Sequence, residues 1–288
     1  MTVPDIFDFK AVRRHRNRAA RLQHTVTPIL DAAAGILLDR LDDVARQFTS
    51  ALDIGGRGLI ATALAERNIP VVSLDSAPDQ ARQAPPPALC ADMDTLPFAP
   101  HSFDLVIANL ALHWVNDLPG IFSQIRHALR PDGLFLASMP ILPTLRPLRN
   151  ALDNAELALC DGVSPRVSPL PTQQSCVTLL QRAGFALPVV DHESLDLRYR
   201  SLRALMADLR AAGENNALTL RTRTTAPRML FAAAAAELES NAEGHFAMPL
   251  HMAILSGWAP DPSQPKAATP GQFDTNLNDV FTPTSPKG

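Results

Sequence analysis

The feature that most constrains the fold is a glycine-rich turn at residues 55–58 (GGRG), between a predicted strand and a helical run at residues 59–67. The chain has only 13 glycines in 288 residues, so a cluster of them is informative. Glycine lets the backbone adopt positive φ and approach a ligand closely, and the following helix directs unpaired N–H groups at an anion. In open α/β sheets, ligands bind at the carboxyl ends of the strands, where this turn would lie.

Strand and helix patterns alternate around this turn. The predicted strands cover residues 50–54, 70–74, 88–91, 103–109 and 134–139, with helices at 59–67 and 118–129 and a turn at 131–133. This alternation predicts an α/β fold, in which right-handed crossovers build a mostly parallel sheet with helices on both faces.

The chain divides into four segments. We expect a helical N-terminal arm (1–50), a Rossmann-like core (51–140), a C-terminal part of the sheet with a helical insertion (141–259) and a proline-rich, disordered tail (260–288). Beyond the core, the patterns predict helices at 144–159, 172–183, 202–212 and 228–240, and strands at 188–199 and 246–258, the second interrupted by Pro249. In the arm, a helix is expected over 26–48, and the basic stretch 10–24 is either a solvated helix face or a docking arm for a partner.

Composition excludes several classes of function. A net charge of −3 gives no general attraction to nucleic acid. Three widely spaced cysteines argue against a disulfide framework or a cysteine zinc site, and the histidines have no metal-ligand spacing, so no metal is expected. No segment reaches the roughly 20 apolar residues of a membrane span, and no signal peptide is evident. We therefore expect a cytoplasmic protein.

Two cofactor classes use such a turn. Residues 56–61 satisfy G-x-G-x-x-A, the dinucleotide fingerprint, with Asp75 following the next strand. Asp53, two positions before the first glycine, instead suits a ligand with a positively charged amino group, such as S-adenosylmethionine. Asp92, after the third strand, completes a set of three acids for the amino group, the ribose and the adenine. Each acid also has a structural alternative: Asp53 as a turn cap, Asp75 as a helix N-cap and Asp92 as a loop residue.

The successive motifs resemble those of class I S-adenosylmethionine-dependent methyltransferases. The matching stretches are 51–55 (ALDIG), 72–75 (VSLD), 91–98 (ADMDTLPF), 102–106 (SFDLV) and 129–134 (LRPDGL). Residues 109–119 (NLALHWVNDLP) resemble the BioC-like branch and are most similar to the methyltransferase-like assembly factors of respiratory complex I. Further matches at 6–8, 182–185, 205–210 and 256–258 extend the resemblance from about residue 6 to residue 258.

The resemblance implies a seven-stranded sheet with an antiparallel last strand and a helical insertion before it. It assigns S-adenosylmethionine as the cofactor. The methionine end of the cofactor would contact Asp53, Gly55, Gly56 and Gly58. The ribose would contact Asp75 and Ser76, and the adenine would contact Asp92 and Met93. Asn109 and Leu110 would form the floor of the cofactor site. The family turn usually reads D-x-G-x-G-x-G, whereas here it is one residue short or has lost a glycine, so that Arg57 could narrow the methionine pocket.

Three functions stay open. The first is methyl transfer to a small molecule or a carrier-bound acyl group. The second is an assembly factor that binds the cofactor and hydroxylates an arginine of a complex I subunit, or chaperones that subunit. The third is a non-catalytic module with a degenerate methyltransferase fold. No residue is singled out as a catalytic base, since methyl transfer depends largely on positioning. The pair His113 and Trp114, just past a strand end, could contact substrate or simply pack.

Overall fold

The computed structural model describes residues 5–160 and 162–265, and its centre is a seven-stranded sheet flanked by helices. The strands are β1 (Ala51–Ile54), β2 (Val71–Asp75), β3 (Ala88–Cys90), β4 (Phe103–Asn109), β5 (Leu129–Pro140), β6 (Ala186–Leu195), β7 (Arg198–Tyr199), β8 (Phe246–Ala247) and β9 (Leu250–Trp258). The helices are α1 (Phe9–Ala19), α2 (Thr27–Asp42), α3 (Leu59–Glu66), α4 (Pro78–Ala81), α5 (Leu118–Ala128), α6 (Arg146–Leu159), α7 (Gln173–Ala183), α8 (Leu202–Ala212) and α9 (Leu230–Ala236).

The strand order is β3-β2-β1-β4-β5-β9-β6, and β7 pairs with β8 in a separate two-stranded sheet. The strands from β3 to β5 are parallel. Strand β9 is antiparallel to both of its neighbours, β5 and β6. Between β6 and β9 the chain makes an insertion that contains α8 and α9. The predicted fold class, a mostly parallel seven-stranded sheet with a helical insertion before the last strand, is confirmed.

Two apolar layers cover the two faces of the sheet. Side chains alternate along β4, which is buried throughout: Leu105 and Ile107 join a cluster with α2 and α3, whereas Val106 and Ala108 join a cluster with α5 and α7. This alternation is the two-residue period of a strand, and burial on both faces is typical of a parallel sheet. The carboxyl ends of β1, β2 and β4 therefore open onto a common edge.

The N-terminal segment is docked against that edge. The ring of Phe7 packs edge-on against Trp114, with centroids 5.1 Å apart. The side chain of Asn116 bonds both backbone groups of Phe7, at 2.8 and 3.2 Å. The amide of Asp8 donates to the carbonyl of Ala217 (2.8 Å), and its carboxylate caps α1. These contacts set the position from which α1 runs across the crevice.

Some predicted boundaries were wrong. Residues 131–133 were expected to form a turn but lie within β5, because Asp132 and Gly133 hydrogen-bond to Ala259, beyond the end of β9. Helix α2 ends at Asp42, and α9 is shorter than the predicted 228–240. The disordered tail expected at 260–288 falls mostly on residues 266–288, which lie outside the described residues.

We expect Phe122→Ala to destabilise the fold by about 3–5 kcal/mol, the usual cost of truncating a buried phenylalanine. Phe122 is fully buried on α5 and packs edge-on against Phe135 of β5, with centroids 5.5 Å apart. Urea denaturation measures the change in the free energy of unfolding. Leu220→Ala is the control, because Leu220 is 84% exposed, and it should change stability by at most about 0.5 kcal/mol. Equal effects of the two substitutions would contradict this account of the core.

Candidate functional site

The glycine turn lies at the carboxyl end of β1. Gly55 has a φ of +64°, and a Cβ at this position would lie 2.6 Å from the Cβ of Ala111. A Cβ at Gly56 would collide with the carboxylate of Asp53. Both positions therefore require glycine, and α3 begins directly after the turn, with Gly58 as its N-cap. The predicted strand–turn–helix unit is present.

Asp53 is a buried carboxylate without a hydrogen-bond partner. Asp53 is 1% exposed, and neither of its oxygens has a partner within hydrogen-bonding geometry among residues 5–160 and 162–265. Burial, together with the charge of Asp75, raises the pKa of Asp53 to about 7, although the nearby amides of Gly56 and Ala61, which lie outside hydrogen-bonding geometry, oppose the shift. Burying a carboxylate without a hydrogen-bond partner lowers the stability of the folded state. Asp53 is therefore suited to bind a cationic donor from a ligand.

Asp75 is already bound within the protein. Its Oδ1 accepts from Arg16 Nε (3.3 Å) and from the amide of Ala77 (2.8 Å), and its Oδ2 accepts from Arg16 Nη2 (2.5 Å). Arg16 Nη2 also donates to the carbonyl of Gly55 (3.1 Å). The carboxylate that the resemblance assigns to the ribose thus belongs to a two-point, buried ion pair.

Arg16 is a site residue that the sequence analysis missed. It lies on α1 and is 1% exposed, whereas Arg13, Arg14 and Arg18 on the same helix are exposed. The basic stretch therefore forms a solvated helix face, with Arg16 as the buried exception. A signal was available, because Arg16 follows the buried Val12 by four residues, which is the spacing of a single helix face.

Arg57 links the glycine turn to a neighbouring pocket. It takes the left-handed conformation, with a φ of +55°, where the family turn usually has glycine. Its guanidinium is buried and donates to the carbonyls of Asn109 (3.4 Å), Leu110 (3.3 Å) and Ala212 (3.3 Å), and it lies 3.5 Å from Glu214. Burial and the nearby Arg16 lower the pKa of Arg57 to about 10. The side chain thus fills space that a further glycine would have left open.

The other predicted residues divide into two groups. Ser76 is buried, and its hydroxyl has no partner among the described residues. Met93 is buried with its sulfur 3.4 Å from the Cβ position of Gly55, beside the glycine turn. Asn109 is buried, and its amide bonds the carbonyl of Leu30 and the hydroxyl of Ser138. Leu110 is buried beside it. Asp92 is exposed, and its carboxylate accepts a hydrogen bond from the amide of Asp94. It therefore does not lie with the buried residues beside the glycine turn.

Glu214, just after α8, was also missed, and no local sequence signal marks it. Its carboxylate accepts from Trp114 Nε1 (3.0 Å) and lies 2.9 Å from His113 Nε2. Burial raises its pKa, but His113 and Arg57 outweigh burial, so the pKa of Glu214 lies below its ordinary value. His113 and Trp114 therefore pack and also hold this carboxylate in one orientation.

The pocket next to Arg57 is mainly apolar. It has a volume of about 120 Å³. Its apolar wall comes from α2, Leu110 just after β4, α8 and the start of β9. The polar side chains on it include Arg57, His113, Tyr199, Asp208 and Glu214. Burial and the adjacent Asp208 raise the pKa of the Tyr199 phenol. With one arginine and two carboxylates, the charges of the wall sum to −1 when all are ionised.

The crevice and the pocket share a cluster of charged groups. Asp53, Asp75 and Glu214 contribute three negative charges, and Arg16 and Arg57 contribute two positive ones, which gives −1 when Asp53 is ionised. A cationic ligand that bound Asp53 would favour the ionised form of this carboxylate. Ligand binding at this site should therefore be coupled to the release of a proton near neutral pH.

Within residues 5–160 and 162–265, no three His, Cys, Asp or Glu side chains come together as metal ligands. Across that part of the chain, no helix is both long and apolar enough to span a bilayer.

We expect Asp53→Asn to raise the melting temperature of the ligand-free protein more at pH 8 than at pH 5. The pKa of Asp53 is about 7 in the folded state and about 3.9 in the unfolded chain. The folded state therefore binds the extra proton between these values, and wild-type stability falls as the pH rises through this window. Because asparagine cannot ionise, the stability of the variant should not fall over this pH range.

Thermal unfolding at both pH values measures the difference. Asp39→Asn, on the exposed face of α2, is the matched control and should follow the wild type. An advantage of Asp53→Asn that does not change with pH would contradict the raised pKa.

The comparisons with known proteins agree with this architecture. A family model described as a methyltransferase domain matches residues 52–137, from β1 into β5. Arginine-hydroxylase NDUFAF5, mitochondrial, of Rattus norvegicus is 34% identical over 287 residues, which cover 96% of this chain and 84% of the relative. Malonyl-[acyl-carrier protein] O-methyltransferase of Xylella fastidiosa is 35% identical over 275 residues, which cover 88% of this chain and 89% of the relative.

Solved structures share the fold at low sequence identity. A SAM-dependent methyltransferase of Thermotoga maritima superposes with a TM-score of 0.51 and 14% identity, covering 85% of this chain and 99% of that chain. The [4+2]-cyclase SpnF superposes with a TM-score of 0.52 and 18% identity, covering 90% and 98%. The family model, the relatives that align over most of the chain and the strand order all agree. This chain therefore belongs to the class I S-adenosylmethionine-dependent methyltransferase family, in the branch that includes NDUFAF5 arginine hydroxylases and malonyl-[acyl-carrier protein] O-methyltransferases.

Proposed function

We propose that this protein binds S-adenosylmethionine in the crevice at the carboxyl ends of β1, β2 and β4, and that it methylates an acceptor held in the neighbouring pocket. The observation that carries the proposal is Asp53, a carboxylate that is 1% exposed and has no partner for either oxygen. The ammonium group of the cofactor would supply the missing donors. Gly55 and Gly56 fit the same assignment, because neither position has room for a Cβ.

The cofactor would supply an electrophilic methyl group on a sulfonium. At neutral pH it carries a sulfonium, an ammonium and a carboxylate, which sum to +1 and complement the −1 of the charged cluster. Met93 and Leu110 are buried beside the crevice and would exclude water from it. We propose that Ser76, with its free buried hydroxyl, lies within reach of the ribose. We propose that Asp92 takes the adenine amine only if its exposed loop turns inward.

The charges of the pocket favour a cationic acceptor over an acidic one. Asp208 and Glu214 lie on a largely apolar wall, and the one arginine there, Arg57, already donates to three backbone carbonyls. A malonyl carboxylate would meet two like charges and, among the described residues of the wall, no free cation. A guanidinium or an amine with an apolar stem would meet two carboxylates, one of them fixed by Trp114 and His113.

A second candidate is hydroxylation of a protein arginine, with the cofactor bound but its methyl group not transferred. The observation that favours it is Arg57, whose buried side chain runs from the glycine turn to the pocket wall and so lies between the two sites. The relative from Rattus norvegicus is named as an arginine hydroxylase. The partner would then be a protein, and the resemblance points to a subunit of respiratory complex I.

The location of the protein is also a proposal. A cytoplasmic location is what the sequence suggested, whereas the NDUFAF5 relatives are named as mitochondrial. We propose the cytoplasm, in keeping with the expectation from the sequence. Immunogold labelling or fractionation of the source cells would decide between the cytoplasm and an organelle.

We expect Asp53→Asn to weaken S-adenosylmethionine binding roughly 10- to 100-fold, because a charge-assisted hydrogen bond to the ammonium is lost. Isothermal titration of the wild-type protein and the variant measures the dissociation constants. The exposed Asp39→Asn variant should bind like the wild type. If the wild type binds no cofactor, the non-catalytic module becomes the better account of the chain.

We expect a labelled methyl group from S-adenosylmethionine to appear on peptides with arginine or lysine and not on a malonyl thioester. Glu214→Gln should reduce this transfer at least about tenfold, since it removes one of the two carboxylates that face the cation. Scintillation counting of the separated products measures it. Transfer to the malonyl thioester alone would contradict the cationic acceptor, and cofactor binding without any transfer would favour the hydroxylase.

A further inference from the structure

We infer that the groove between α8 and α9 is a docking site for an acidic, amphipathic helix of the protein that carries the acceptor group. The role of this groove rests on the proposed function, in which the neighbouring pocket holds that group. The groove is separate from both the cofactor crevice and the pocket, and its lining residues take no part in either.

The groove lies between one face of α8 and one face of α9, and it has a volume of about 440 Å³. Its lining residues include Arg203, Met206 and Arg210 from α8, and Phe231, Ala232 and Ala235 from α9. Helix α9 is fixed from behind, because its buried residues Leu230 and Ala234 pack with α6 in one apolar cluster. The groove is therefore a gap between two helices that are each held in place.

The floor of the groove is apolar. The ring of Phe231 is 42% exposed, and Met206 opposite it is half-buried. Ala232 and Ala235 present only methyl groups, so another helix could approach α9 closely, since interaxial distance depends on the side chains at the contact. An exposed aromatic ring in a concave, apolar site is typical of a groove that takes the apolar stripe of a partner helix.

The charges on the groove are positive. Arg203 and Arg210 are exposed, and among residues 5–160 and 162–265 no carboxylate lines the groove beside them. The two arginines are seven residues apart on one face of α8, which separates them by about 10 Å along the helix axis. A partner helix that lies along α8 with acidic side chains at the same spacing would meet both of them.

Helix α8 separates the groove from the pocket. Leu205, Asp208 and Leu209, on the other side of the helix, line the pocket. A helix with its side chains is about 10–12 Å across, so a docked partner would lie about that far from the acceptor site. The groove is positive and the pocket wall is negative. An acidic helix is therefore attracted to the groove, whereas a cationic side chain of the same partner is attracted to the pocket.

Shape and total charge favour a protein helix over other acidic partners. A groove between two helices matches a cylinder, whereas a bilayer surface is flat on this scale. The whole chain carries a net charge of −3, which opposes general attraction to an anionic membrane or to nucleic acid. The positive charge of the groove is local, and it therefore suits a local acidic element.

Fluorescence anisotropy of the full chain with a labelled helical peptide tests the docking site. The probe is an alanine-rich peptide of about 20 residues, long enough to be helical, with glutamates seven residues apart and leucines between them on the same face. A second peptide has lysine in place of glutamate. We expect the wild type to bind the acidic peptide at least about tenfold more tightly than the lysine peptide. Combining Arg203→Glu with Arg210→Glu should reverse this preference.

Two further variants separate docking from folding. Arg182→Glu, at an exposed position of α7, should keep the preference of the wild type. Phe231→Ser should weaken the binding of both peptides, because it removes an apolar contact and no charge. The reversed preference of the double variant is a gain of binding to the lysine peptide, which a misfolded chain would not show.

A kinetic measurement connects the groove with the pocket. Joining the acidic helix to an arginine-containing arm should lower the KM for methyl transfer at least about tenfold relative to the arm alone, and should leave kcat unchanged, because docking adds binding that is equal in the ground state and the transition state. The double variant should lose this gain in KM and still bind S-adenosylmethionine like the wild type.

Several outcomes overturn the inference. Equal binding of the two peptides by the wild type, or a preference that the double variant retains, would reject the charge match. Tighter binding to phosphatidylglycerol vesicles than to the acidic peptide would assign the groove to a membrane, and a dimer that Arg203→Glu dissociates would assign it to a second copy of the chain. An unchanged KM would reject the link to the acceptor. Absence of any transfer with the peptide preference intact would instead reject the proposed methyl transfer and leave the groove as a docking site.

Discussion

The ion pair between Arg16 and Asp75 is the interaction on which the ligand edge of this protein depends. It joins α1 to the end of β2, and both side chains are almost fully buried. Removing one member of a buried pair typically costs about 3–5 kcal/mol, because the other charge is left without compensation. The N-terminal helix is therefore part of the binding edge of the sheet, and it is held there by a charge as well as by apolar packing.

A second set of charges connects the glycine turn to the pocket. Arg57 starts in the turn, and its guanidinium reaches backbone carbonyls at the end of β4 and after α8. Glu214 is held next to it by His113 and Trp114. Because one side chain belongs to both sites, a change at the turn alters the pocket wall as well. This coupling offers a physical route by which members of one family could bind a common cofactor and carry out different reactions.

Much of the fold was predictable from local pattern. The strand–helix alternation and the glycine turn predicted the parallel sheet, and the resemblance to the methyltransferase family implied the antiparallel last strand and the insertion before it. The wrong boundaries, such as the turn expected at residues 131–133, fall where pairing partners are remote in sequence: β5 is extended there by Ala259. No local pattern contains that information.

The site was only partly predictable, for a related reason. Motif position identified Asp53 and the glycines, but whether a carboxylate is free depends on what other elements bring to it. Asp53 and Asp75 both lie near the carboxyl ends of neighbouring parallel strands, yet one has no partner among the described residues and the other is bound by Arg16. Glu214 carries no sequence signal at all, since its partners lie about 100 residues earlier in the chain.

The sequence by itself determined the architecture, because hydrophobic periodicity and glycine geometry act between near neighbours along the chain. The tertiary structure alone decided which charges are paired, which remain free and which side chain fills the gap beside the turn. These depend on burial, and burial is a property of residues that meet only after the chain has folded.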